Sequence, residues 1–227
     1  MTAPTLQQIL FVAIVAVPII IAITLHEAAH GFVARHFGDS TAADRGRVTL
    51  NPLKHIDLFG TILLPALLLL THTGFIFGYA KPVPVNFAKL NHPKRDMIWV
   101  AAAGPAMNVA LALVSAALLF VALTMGAPMD STAVQLFRTS IDINLILAVL
   151  NMIPLPPLDG GRVAVGILPQ PFSRALAQLN RFGMVLVLAL FILLPLAGIN
   201  IFQWLVAGPV EFLERPLFAL LGYPRGS

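Results

Sequence analysis

The chain has 227 residues, 58% of them hydrophobic and 11% charged, with a mean hydropathy of +0.88. A soluble domain carries about 25% charged residues, so this composition excludes an ordinary soluble fold and points to a protein that crosses a membrane several times. In such a chain the net charge of +4 reports topology rather than nucleic-acid binding, and no nucleic-acid partner is expected. The absence of cysteine excludes disulfides and thiolate metal sites, leaving histidines and carboxylates as metal ligands.

Residues 9–36 are apolar with almost no polar interruption before Thr24, and at ~1.5 Å per residue they are long enough to span a bilayer. Since the first basic residue is Arg35, no cleavable leader is expected and this helix should be retained. Pro18 predicts a bend. Near the end of the run stands His26-Glu27-Ala28-Ala29-His30. On a helix, positions i and i+4 share a face, so His26 and His30 can aim two imidazole nitrogens at one metal ion, zinc being the expected one. Glu27 lies about 100° around the helix, where it reaches a metal-bound water rather than the metal, the position of a general base. A single histidine in an apolar helix is ordinarily a hydrogen-bonded core residue. Three ionisable groups within five residues of a membrane-length segment are costly unless something compensates them, and a divalent cation does so.

After the break at residues 38–51, residues 47–50 read as a short strand ending at Asn51-Pro52. Residues 56–70 are apolar but short and carry Gly60 and Pro65, which suits a re-entrant segment. A loop rich in Gly and Pro follows, with a second candidate strand at 83–87; the two strands could pair with an extended substrate or form a hairpin covering the site. Residues 97–125 are a second span, with small residues from Ala101 to Gly104 that allow close helix approach. A third span at 141–153 ends in Pro154, Pro156 and Pro157, where the chain is expected to be extended. Residues 182–196 and 199–221 supply one or two further helices, the last more interfacial than spanning because of Pro209, Glu211, Glu214, Arg215 and Pro216. The predicted fold class is an all-α polytopic membrane protein, with about four to six membrane helices, a small β element and a re-entrant segment between the first two spans. It is expected to form a single membrane-embedded domain over residues 1–227, with a core at about 9–165 and C-terminal helices at about 171–222.

If residues 56–70 do not cross, Arg35, Arg45, Arg47, Lys54, Lys81, Lys89, Lys94 and Arg95 share one side with Arg162, Arg174 and Arg181, leaving Arg138 for the other. The positive-inside rule then places the N-terminus outside and the histidine end of the first helix near the cytoplasm.

A catalytic zinc takes three protein ligands and keeps one position open. Asp159 is a candidate third ligand, because an acidic residue beside a span end, locked among Pro156, Pro157, Gly160 and Gly161, is costly unless paired. A helix N-cap would explain Asp159 equally well. His55 and Asp57 are rival ligands or plain interfacial polar residues, while His36, His72 and His92 carry no signal.

Taken together, the 26–30 motif, Gly46 through Pro52, Gly104-Pro105-Ala106-Met107-Asn108 and the stretch from Asn151 to Gly161 resemble the site-2 protease family of intramembrane zinc metalloproteases, in its small form without a PDZ domain. The resemblance covers residues 21–163. It implies an intramembrane zinc endopeptidase that cuts transmembrane segments of other proteins, as in regulated intramembrane proteolysis, with one zinc per chain. Asp159 is then the third ligand beside His26 and His30, Glu27 the general base, and Asn151 a residue near the oxyanion or substrate. Gly104 and Asn108 match the family's Gly-x-x-x-Asn element. The expected partners are a transmembrane protein substrate and the lipid bilayer. The expected location is the cell membrane of a prokaryote, with the active site near the cytoplasmic side. A zinc-binding transporter or metal sensor is the alternative; a transporter would repeat its ligands in two halves, and the sequence carries one set.

Overall fold

The computed structural model describes residues 5–63, 67 and 81–222. Helix α1 (Leu6–His36) runs unbroken through Pro18 into the His26 and His30 turns. Helix α2 (Pro93–Thr124) starts at a proline in its first position, and Asp96 reaches back to accept the N–H of His92 at 2.7 Å. Both devices suit a helix start, where backbone N–H groups lack partners and the dipole favours an acidic side chain. Helix α3 (Thr132–Asn151) is capped by Ser131, whose hydroxyl accepts the N–H of Val134. The third span therefore starts at Thr132 rather than at 141, because the cap and the helical register carry through Arg138 and Asp142, which depress the local hydropathy.

Beyond α3 come the short helix α4 (Asp159–Ile167), α5 (Phe172–Leu196) and α6 (Gly208–Leu220). Among the described residues, four helices are long and apolar enough to cross a membrane: Leu10–His36 within α1, then α2, α3 and α5. Helix α2 is central, packing on α1, α3 and α4, while α1 also packs on α3. One buried apolar cluster joins α2, α3, α5 and α6 through Leu119, Ile141, Leu145, Val187, Phe191 and Val210. A smaller one, of Ala34, Leu90 and Val100, seals α1 against α2 beside the histidines. Large apolar side chains such as Phe11, Phe32, Trp99, Leu113, Trp204 and Phe212 lie more than half exposed, the surface expected of helices facing hydrocarbon.

The small β element is a correction. No strand occurs among the described residues, and both candidate stretches are irregular. Pro84, like Pro82 just before the stretch, has no N–H to give a ladder, and two further donors are spent on side chains: Val83 N–H on Glu27 at 2.7 Å and Asn86 N–H on Asp39 at 2.6 Å. The first stretch does reach the chain just before the second, through the Arg47 guanidinium, which donates to the Lys81 carbonyl at 2.8 Å. Of the predicted re-entrant segment, the structure describes a wide helical turn, Leu58–Leu63, started by the Asp57 carboxylate accepting the N–H groups of Phe59 and Gly60. Most of its remainder lies outside the described residues, as does the path of residues 68–80.

Residues 152–158 form a chain of turns rather than an extended run, pressed against α4 and α5. A Cβ on Gly160 would sit 2.2 Å from the Met152 carbonyl oxygen, one on Gly161 2.2 Å from the Pro156 nitrogen, and one on Gly183 2.5 Å from the Pro156 oxygen. These neighbours are backbone atoms that cannot swing aside, so glycine at these positions lets the loop seat and fixes where Asp159 points. Gly160→Ala should therefore lower stability by about 1–3 kcal/mol, as overpacking does elsewhere. Thermal unfolding in detergent reads this out, and an unchanged midpoint would show that the loop accommodates the methyl group.

Candidate metal centre

His26 and His30 occupy successive turns of α1, on the face packed against α2, and both are buried. Helix α2 answers with three residues at four-residue intervals. Val100 presents its carbonyl oxygen to His30 Nδ1 at 2.7 Å, and Asn108 presents Oδ1 to His26 Nδ1 at 2.5 Å. Between them Gly104 leaves room for both rings: a Cβ there would lie 2.5 Å from each Nε2. With Nδ1 of each ring donating, both Nε2 atoms carry free lone pairs, as metal-binding imidazoles require.

Asp159 opens α4, and its Oδ2 approaches both Nε2 atoms at 3.2 Å, while those two nitrogens stand 3.1 Å apart. Three donors about 3.2 Å apart form one face of a tetrahedron whose centre lies ~2 Å from each, the distance of zinc from imidazole nitrogen and carboxylate oxygen. The group therefore fits a zinc ion with a fourth position open. Asp159 would be the anionic ligand of the three. Its other oxygen, Oδ1, faces the Arg162 guanidinium at 3.5 Å, and Arg162 in turn lies over the Phe87 ring, 5.7 Å from its centroid.

Glu27 lines, together with the three donor residues, a cavity of about 280 Å³. One of its oxygens, Oε2, accepts the Val83 N–H, which fixes the carboxylate at the cavity wall. Asn151, at the end of α3, lines the same cavity and donates from Nδ2 to the Leu147 carbonyl at 3.0 Å. The remaining wall is mostly apolar, with Leu158 and the α5 residues Met184 and Val187. The structure thus gathers His26, His30, Asp159, Glu27, Asn151, Gly104 and Asn108 around one place. The rivals stand apart from it: buried His55 holds the Thr49 carbonyl at 3.0 Å, and Asp57 caps the turn after it.

Sequence reasoning missed Val83, Arg162, the Val100 carbonyl and Asn144. The first three act through a backbone group or across loop geometry and leave no pattern in the sequence. Asn144 left one, a buried amide in an otherwise apolar stretch of α3.

Residues 14–125 and 120–194 match peptidase family M50. YwhC of Bacillus subtilis, which bears the name "Putative zinc metalloprotease", is 37% identical over 212 residues, covering 92% of each chain. Rip2 proteins carrying the same designation are 30% identical over 188 residues in Mycobacterium tuberculosis and 31% over 198 residues in Mycolicibacterium smegmatis. These alignments cover 82% and 84% of this chain and 70% and 72% of the relatives. No solved structure matches. The family match runs through the helices that carry both histidines and the aspartate, and the donor atoms of those residues have the spacing zinc needs; the chain belongs to peptidase family M50 and is a zinc metalloprotease.

Proposed function

We propose that the protein is an intramembrane endopeptidase, a single membrane-embedded domain that hydrolyses peptide bonds within transmembrane segments of other proteins, in the manner of regulated intramembrane proteolysis. The observation that carries this reading is the position of the metal-binding group. All three donors are buried, two on a membrane-length helix and the third beside the end of another, and the adjoining cavity is walled by α1, α2, α3 and α5. A protease acting on soluble chains would have no need to bury its centre there.

In this reading His26, His30 and Asp159 hold the zinc. Bound there, the ion would supply Lewis-acid polarisation of the scissile carbonyl and acidify water towards neutral pH. Glu27, aimed into the cavity and anchored through one oxygen by Val83 N–H, accepts the proton from the attacking water and can pass it to the leaving amine. Asn151 has a second amide hydrogen beyond the one given to Leu147, and at the cavity wall it can donate to the carbonyl oxygen on which charge develops. The apolar wall takes substrate side chains from hydrocarbon, while Glu27, Asn151 and Arg162 keep the reacting centre polar. A substrate helix hides its carbonyls in i to i+4 hydrogen bonds, so the bond to be cut must first unwind.

The concentration of basic residues between Arg35 and Arg95, with Arg162, supports the cytoplasmic face of a prokaryotic cell membrane as the side nearest the site. A cysteine at Ser40 should be labelled from the cytoplasm and one at Asp130 from outside. Labelling of both from one side would overturn this topology.

Glu27→Gln should keep both zinc and thermal stability yet abolish cleavage of a single-span substrate in proteoliposomes, since an amide cannot act as the base; persisting cleavage would remove Glu27 from that role. Asp159→Ala should purify with little zinc, whereas His55→Ala keeps it, by metal analysis of detergent-purified protein. The reverse pattern would move the third ligand to His55. Asn151→Ala should retain zinc and lose about 100-fold or more in kcat, the scale seen when an oxyanion donor is removed. A kcat within a few-fold of wild type would take Asn151 out of the reaction.

A further inference from the structure

The hydrogen bond from His26 does not stop at Asn108. Asn108 Nδ2 donates to Asn144 Oδ1 at 2.9 Å, and Asn144 Nδ2 donates to the Ser140 carbonyl oxygen at 2.8 Å. Asn108 and Asn144 are essentially inaccessible, at 0% and 1% exposure, so no bulk water competes for these groups. From this chain we infer that Asn144 is a positioning residue for the zinc site: it sets the direction of the Asn108 amide and, through it, the tautomer of His26.

The direction follows from which atoms can donate. A backbone carbonyl only accepts, so the Ser140 oxygen requires the Asn144 NH2 group to face it. That turns Asn144 Oδ1 towards α2, where it requires the NH2 of Asn108. Asn108 Oδ1 is left facing His26 and can only accept, so Nδ1 of that ring holds the proton and Nε2 keeps its lone pair for the metal. His30 reaches the same state in one step through the Val100 carbonyl. His26 lies opposite a side-chain amide, which by itself could turn either way; with its NH2 towards the ring it would favour a proton on Nε2 and block the ligand. The Ser140 carbonyl, on α3, thus governs a ligand on α1 through two amides, tying three membrane-length helices to the metal site.

This inference rests on the reading of His26 as a zinc ligand, and a chelator competition titration on purified zinc-loaded protein in detergent separates the two. Asn144→Leu keeps the volume but leaves the Asn108 amide free to turn. Its zinc affinity should fall about 10–100-fold, the range for loss of a partner behind a ligating histidine. Asn144→Asp, protonated in its buried position, can still donate to Ser140 and accept from Asn108, and should stay within a few-fold of wild type. The decisive comparison is Asn108→Asp combined with Asn144→Leu against Asn108→Asp alone. Facing the His26 N–H, which position 144 does not, the carboxyl at 108 is held ionised and accepts whichever way it turns, so with Asp at 108 the Asn144→Leu change should cost no more than a few-fold. A residue that merely packs would cost the same with either side chain at 108. Should Asn144→Leu fail to accumulate, Asn144→Ala carries the same comparison. Wild-type affinity in Asn144→Leu, or an Asn144→Leu loss as large with Asp at position 108 as with Asn, would overturn the relay. Unchanged affinity in His26→Ala would instead overturn the ligand assignment itself.

Discussion

Burying His26, His30 and Asp159 together is the constraint on which the structure turns. Singly, each polar group placed among apolar helices costs several kcal/mol. Together, with donor atoms 3.1–3.2 Å apart, they form a site whose cost a divalent cation offsets. The fold meets the geometric demand with three separate devices. An i, i+4 pair on α1 supplies the imidazoles, a glycine on α2 gives them room, and a turn-rich loop packed on glycines of α4 and α5 delivers the aspartate. None of the three suffices alone.

Behind the ligands lies a polar interior continued along the helix interfaces. Each ring has its second nitrogen occupied, Asp159 has an arginine behind its other oxygen, and Glu27 is held by a backbone N–H. The amide chain from Asn108 meets α3 at Asn144 and Ser140, and the Ser140 hydroxyl joins that of Ser115 on α2 at 2.8 Å. These contacts fall where neighbouring helices pack closely, which supplies partners that the bilayer could not.

Much of this was legible in the sequence. The helix carrying the 26–30 motif follows from spacing, whereas the cost of unpaired charge left Asp159 between a third ligand and a helix N-cap, and the family resemblance favoured the ligand. The sequence suggested about four to six membrane helices, of which the described residues hold four, and composition set the chain in a membrane. Where the reading failed, a local pattern competed with tertiary context. Residues 83–87 have the β-branched alternation of a strand, but Pro84 between the valines and the side-chain acceptors Glu27 and Asp39 take away the ladder. The start of α3 was hidden because Arg138 and Asp142 interrupt its hydropathy, although Ser131 marks the cap. Val83 was out of reach for a different reason: its role belongs to its amide, which every residue but proline has.

The alternation of Val100, Gly104 and Asn108 along α2 has a mechanical consequence. Because one helix serves both rings, at positions four residues apart, the site has a single axial alignment of α1 against α2. A slip of one residue, ~1.5 Å along the axis, would carry the Val100 carbonyl and the Asn108 amide off their nitrogens together and bring a side chain of α2 into the space that Gly104 keeps open. Anything that shears these two helices, including a bilayer too thin or too thick for their apolar lengths, therefore acts on the metal centre directly. The centre is in that sense a vernier, reading the offset between two membrane helices in fractions of a helical turn.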